Sequence, residues 1–251
     1  MARHDADAGG DPALLAAKAA LRERVWSSLD QPGIARFPKP ANRIPNFVGA
    51  EAAARRLAET AEWSRAMTVK SNPDSPQWPV RQRALRDGKL VYMAVPRLAE
   101  PDPFFLLDPE QLADDVRTAS SIKGASRNAR RVGVDELEPV DLVVTGCVAV
   151  DAGGARLGKG GGFSDLEFAL AAEAGLVDAR TVVVTTVHER QVLPAGTVPT
   201  TAHDLHVDVV VTPDQVLRCA RPTSWRLPTL RWDELTADKI AAIPLLTRMR
   251  P

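Results

Sequence analysis

The chain has 251 residues, 45% hydrophobic and 25% charged, with 32 Lys plus Arg balanced by 32 Asp plus Glu. This composition suits a globular protein with a large core and excludes a general electrostatic pull toward nucleic acid or anionic membrane. Two cysteines, Cys147 and Cys219, and no CxxC speak against a disulfide framework or a zinc site and fit buried, reduced thiols.

"MARHDADAGGDP" carries no apolar stretch, so no secretory signal is read there. No apolar run approaches the ~18 residues of a membrane span, and a cytoplasmic location is the expectation. Residues 1–12 read as a disordered tail. "PALLAAKAALRERVWSSLD" has apolar residues at near-helical spacing and stops at Pro32 and Gly33. After a Pro-rich connection, "AEAAARRLAETAEW" is a second helix. "AMTVKSN" is a short strand running into the turn "SNPDSPQWP". "VRQRALRDG" is helical to Gly88, and "KLVYMAVP" is an apolar strand. "DPEQLADDVRTASS" reads as a helix capped by Asp108. "KGASRNARR", residues 123–131, reads as a solvated cationic loop, with phosphate, polyglutamate or RNA contact as sharper alternatives; no aromatic residue stands nearby to stack on bases. "VDLVVTGCVAVD", "ARTVVVTTVH" and "VDVVVTPDQV" are buried strands. His188 and His206 read as structural, and His203 as a ligand contact or a loop residue. Val-rich strands alternating with helices predict an α/β fold, with a mainly parallel sheet flanked by helices. The domain is expected over 13–220, with 221–251 an extension packed on it.

Between the strand signal of "VDLVVTGCVAVD" and the helix "FSDLEFAL" lies "RLGKGGG". In parallel sheets, ligands collect at such loops. Glycines expose backbone N–H groups, and a helix start adds partial positive charge, so phosphate suits the site. Arg156 and Lys159 add cations. Walker A spacing is absent. Ser164 and Glu167 fit a capping box, Phe163 and Phe168 a hydrophobic staple, and Asp165 the first helical position.

"RLGKGGGFSD" resembles the RLGxGGGYYD loop of the 5-formyltetrahydrofolate cyclo-ligase family. "KAALR", Lys18 to Arg22, resembles that family's KxxLR helix start, and "VPTTAHDLHVDVVVTP" its late loop. The order of the three motifs fits, and the likeness covers roughly residues 14–218. The glycine loop and "SNPDSPQWPVRQRALRDGKLVYMAVPRL" are most similar to a divergent branch of cyclo-ligase-like, methenyltetrahydrofolate synthetase domain-containing proteins. The resemblance implies a fold similar to that of sugar-phosphate isomerases and CoA-transferases. It implies ATP and Mg²⁺, and conversion of 5-formyltetrahydrofolate to 5,10-methenyltetrahydrofolate with release of ADP and phosphate. It implies Lys18, Arg156 and Lys159 as catalytic cations. Arg22, Gly158, Gly160, Gly161, Gly162, Phe163 and Asp165 would join these three at the nucleotide. Arg22, Asp74, Phe163 and Ser164 would meet the second substrate, and Asp165 and Asp204 the metal. On this reading the two carboxylates face one another, so neutralising Asp165 should relieve repulsion. The family's two loop tyrosines are Phe163 and Ser164 here, and its glutamate near position 77 is missing, with Asp74 the only carboxylate in that stretch. These departures fall on the folate side and leave a different acyl or amide substrate, or a non-catalytic nucleotide- or RNA-binding protein, as alternatives. A reduced folate is the expected partner, with neither nucleic acid nor membrane; oligomeric state is left open.

Overall fold

The computed structural model describes residues 11–201 and 204–250. The expected 1–12 tail falls almost wholly outside them, as does His203. Helix α1 (Pro12–Leu29) starts where Asp11 accepts the Ala13 N–H and Pro12 occupies the first turn. Then come α2 (Ala50–Ala58), α3 (Ala61–Arg65), strand β1 (Thr68–Ser71), α4 (Trp78–Arg86), β2 (Leu90–Ala94) and β3 (Phe104–Leu107). The middle holds α5 (Val116–Ala119), α6 (Ile122–Asn128), β4 (Arg130–Val132), β5 (Leu142–Val144), β6 (Ala149–Asp151) and β7 (Arg156–Leu157). The remainder is α7 (Phe163–Glu173), β8 (Val182–Thr186), β9 (Val192–Leu193), β10 (Val209–Val211), β11 (Val216–Arg218), α8 (Ala237–Ala242) and α9 (Pro244–Met249).

Eight strands form one sheet in the order β11-β10-β8-β5-β1-β2-β3-β4. The five from β10 to β2 are parallel, and β3, β4 and β11 extend the edges antiparallel. The period-2 alternation of side chains sends Val144, Val184 and Val211 to one face, against Leu57 of α2 and Val80 of α4. Val143, Val183 and Val210 go to the other, against Leu166, Phe168 and Leu170 of α7. Ile243, Leu245 and Leu246 from the C-terminal segment are buried in that same layer.

Several sequence expectations need correction, and "AEAAARRLAETAEW" is not one helix but α2 and α3, broken at Glu59–Thr60. "VDLVVTGCVAVD" is not one strand. It breaks at Thr145–Val148, and β6 joins a separate small sheet, β7-β6-β9, on which α1 packs through Leu21 and Val25. Asp108 caps no long helix. It closes a turn onto the Glu110 N–H, while Asp115 caps the one-turn α5. "KGASRNARR" is α6 followed by β4 rather than a loop. β3 and β4 fall in stretches assigned to no strand.

From β1 the chain steps to β2 on one side and returns to β5 on the other. The sheet therefore has its switch point between β1 and β5, where a crevice opens at the carboxyl ends of the strands.

Candidate active site

A cleft of about 290 Å³ lies at that point. Asn72 to Ser75 follow β1 and form one wall, Pro96 and Arg97 follow β2, and the glycine loop with the start of α7 closes the other side. The wall after β1 is held by Arg81, which is 1% exposed. Its guanidinium donates to the carbonyls of Asn72, Pro73, Asp74 and Ser120. Burial pulls its pKa down to about 10, against the pull of Asp74.

The glycine loop joins β7 to α7. Gly160 has φ +103° and Gly162 φ +62°, backbone that side chains strongly disfavour. Gly162 is the N-cap and provides no side-chain acceptor, so the first-turn N–H groups of α7 are left for a ligand or water. This corrects the capping-box expectation. Ser164 lies inside the first turn, and Glu167 does not turn back to cap. Gly161 rather than Phe163 precedes the cap, so the staple is absent, and Phe168 is in the core. Asp165 is the third helical residue rather than the first.

Of the residues singled out from the sequence, Asp74, Arg156, Lys159, Phe163, Ser164, Asp165 and three of the loop glycines line the cleft, whereas Lys18, Arg22, Gly160 and Asp204 are not among its lining residues. Arg156 is 4% exposed; it donates to Gly146 O at 3.0 Å and to Asp165 Oδ1 at 2.7 Å. Its Nε is buried without a partner among the described residues. Burial works against the Arg156 charge, but Asp165 outweighs it and holds the guanidinium above its ordinary pKa. Burial likewise pushes Asp165 up, yet Arg156, the Leu205 N–H and Lys18 bring its carboxyl below the usual range. Lys18 grips Asp204 at 3.0 and 2.8 Å, and Thr201 N–H donates to the same carboxylate at 2.6 Å. Arg22 Nε donates to Gly158 O at 2.8 Å. Lys159 stands half-exposed at the mouth, 3.4 Å from Asp74. Ser164 Oγ accepts from Asn72 Nδ2 at 3.2 Å, and the Phe163 ring lines the cleft.

Asp165 and Asp204 are therefore each paired with a cation, Arg156 and Lys18, which offsets the mutual repulsion expected of them. No group of three His, Cys, Asp or Glu able to hold a metal occurs among the described residues. Asp165 Oδ1 is occupied, while Oδ2 has no hydrogen bond among the described residues. A divalent cation fits here only when phosphate oxygens and water complete its shell, as Mg²⁺ commonly requires.

Sequence reasoning missed three residues. Lys70, on central strand β1, is 2% exposed and donates to Glu167 Oε2 at 2.6 Å. A lone lysine in an apolar strand was the available signal. Asn72 Nδ2 donates to the same oxygen, and its Oδ1 is buried without a partner among the described residues. Lys239 of α8 donates to Gly161 O at 3.3 Å and sits 5.5 Å over the Phe163 ring. Of the "KGASRNARR" cations, Arg130 pairs with Glu136 and Arg131 with Glu100.

Fold and site together define an α/β protein with a cleft at the switch point of its sheet, lined by Arg156, Lys159 and the glycine loop. The model of the 5-formyltetrahydrofolate cyclo-ligase family matches residues 14–213, and the chain belongs to that family. It is 37% identical over 238 residues to a Mus musculus methenyltetrahydrofolate synthase domain-containing protein, covering 93% of this chain and 63% of that one. The Homo sapiens protein of the same name is 33% identical over 234 residues, 92% of this chain and 60% of that one. The chain thus spans about three-fifths of the length of these relatives. The NMR structure of Aquifex aeolicus 5,10-methenyltetrahydrofolate synthetase superposes with a TM-score of 0.52 at 19% identity, covering 83% of this chain and 96% of that one. No helix among the described residues is long and apolar enough to cross a membrane.

Proposed function

We propose that this chain binds Mg-ATP in the cleft and closes 5-formyltetrahydrofolate to 5,10-methenyltetrahydrofolate, releasing ADP and phosphate. The observation that carries the reading is the convergence of Arg156, Lys159 and the uncapped α7 N-terminus on one cleft wall. Phosphoryl transfer asks a protein for positioning and charge neutralisation more than for covalent participation. ATP supplies the phosphoryl group that turns the formyl oxygen into a leaving group, so that N10 can close on that carbon and phosphate can depart with the oxygen. Arg156, fixed by Gly146 O and Asp165, presents a charge whose orientation is set before any ligand arrives. The loop N–H groups hold phosphate oxygens at the helix start. Lys159 is able to leave Asp74 for a more highly charged partner, because their contact is long and partly exposed. Asp165 Oδ2 would hold Mg²⁺, which would supply charge neutralisation for the phosphates. Lys18 and Asp204 brace the segment that brings the Leu205 N–H to Asp165.

A second reading keeps the chemistry and changes the acyl or amide substrate. It is favoured by the second-substrate wall, where Ser164 and Asp74 are already engaged by Asn72 and Lys159. Titration calorimetry separates the two. Under the first reading Mg-ATP and 5-formyltetrahydrofolate both bind, under the second only Mg-ATP, and if neither binds both readings fail.

A further inference from the structure

The cleft lining holds hydrogen-bond acceptors as well as cations. The glycine-loop side offers donors and cations. Asn72, after β1, and Glu167, in the second turn of α7, both line the cleft, and each is 3% exposed. Lys70 Nζ and Asn72 Nδ2 both donate to Glu167 Oε2. These two donors fix how the carboxylate sits, and Oε1 makes no hydrogen bond among the described residues. They also fix the Asn72 amide, since its NH₂ must face the carboxylate; Oδ1 is then an acceptor with no partner. A buried ion pair is no general device for stability, since apolar replacements of similar volume commonly do as well. A lysine placed mid-strand behind a cleft-lining glutamate therefore calls for a ligand-side explanation.

We infer that Glu167, held by Lys70 and Asn72, is a specificity-determining residue that accepts N–H donors from the second substrate, and that this substrate carries a donor edge of the 2-amino-4-oxopyrimidine kind. The inference rests on the proposed function only for the choice of 5-formyltetrahydrofolate as a probe, since the ring of that compound carries adjacent 2-amino and N3–H donors. Lys70 acts through Glu167: its single charge keeps the carboxylate in place and offsets its charge in the absence of ligand.

Glu167→Gln sharpens the test. Lys70 and Asn72 still need an acceptor, so the Gln oxygen turns to them and its NH₂ faces the cleft, donor against donor. Calorimetry on the full chain should show 5-formyltetrahydrofolate affinity falling by about ten- to a hundredfold, with Mg-ATP affinity unchanged. The 2-desamino-2-methyl analogue, which lacks one donor, should bind weakly to the unmodified protein and lose little more on substitution. The Lys70→Met/Glu167→Leu double variant removes both charges together, should fold, and should lose the same preference for the 2-amino compound. If Glu167→Gln leaves 5-formyltetrahydrofolate binding unchanged, or weakens both folates or Mg-ATP equally, Glu167 is structural and the inference is overturned. If the unmodified protein ignores 5-formyltetrahydrofolate but binds 2-amino-4-oxopteridine in a Glu167-dependent way, the cyclo-ligase reading fails and the inference stands. If it binds neither, both are overturned.

Discussion

Arg156 and Asp165 meet at 2.7 Å beneath the glycine loop, a nearly buried guanidinium against a carboxylate that is 29% exposed at its side chain. The pair ties the small sheet to the start of α7. Asp165→Asn keeps the shape but removes the charge opposite Arg156. It should lower stability by about 1.5–3 kcal/mol, the range for a charge-assisted hydrogen bond, and lower Mg-ATP turnover by orders of magnitude. Thermal melting and ADP release measure the two effects. A variant that melts normally and turns over normally would show that the pair matters to neither.

How much of this was legible from the sequence varies with the kind of signal. The glycine loop with Arg156 and Asp165 stands out because glycines and charges at short spacing carry their chemistry locally, whereas Lys18 and Arg22 are singled out only by the resemblance of "KAALR" to the family's helix start. Glu167 was misread because S-x-x-E fits both a capping box and a long-range partner. Only the tertiary placement of Lys70 decides between them. "VDLVVTGCVAVD" was read as one strand because periodicity does not reveal which sheet an apolar run joins; Gly146, packed against Gln77 and Asp74, marks the break. α8 has no buried residue of its own, and Lys239 reaches the loop through its ammonium, in a part-buried bond to Gly161 O.

That lysine yields a second expectation. Lys239 lies beyond the region matched by the family, yet bonds the Gly161 carbonyl. Lys239→Ala should loosen the loop and lower Mg-ATP affinity about three- to tenfold, the loss expected for one modest hydrogen bond. Amide exchange at Gly160 to Gly162 should rise in parallel. Unchanged exchange and affinity would leave α8 as packing alone.

Acid stability should depend on Asp208. Burial pushes its carboxyl up, but His206 and Arg221 bring it below the usual range, with Arg221 donating at 2.6 Å. A depressed folded-state pKa contributes stability above the unfolded value, about 3.9, and loses it as pH falls through the folded value. Asp208→Asn should therefore melt earlier at pH 7. The gap should close on acidification below about pH 4. A gap that is constant with pH would rule out the charge as its source.

The cysteines should be silent. Burial pushes Cys147 up to about 11, and Cys219 upward as well. Thiolate is the reactive form, so iodoacetamide at pH 8 should label neither thiol until denaturant unfolds the chain. Rapid labelling of the native protein would contradict their burial.

The most direct test of the central claim is a stoichiometry: purified protein with Mg-ATP and 5-formyltetrahydrofolate, following methenyl product and ADP together. The account predicts that both appear, one for one, and that neither appears when the other substrate is withheld. ADP formed without methenyl product, or no turnover by a folded protein that binds both ligands, would contradict it.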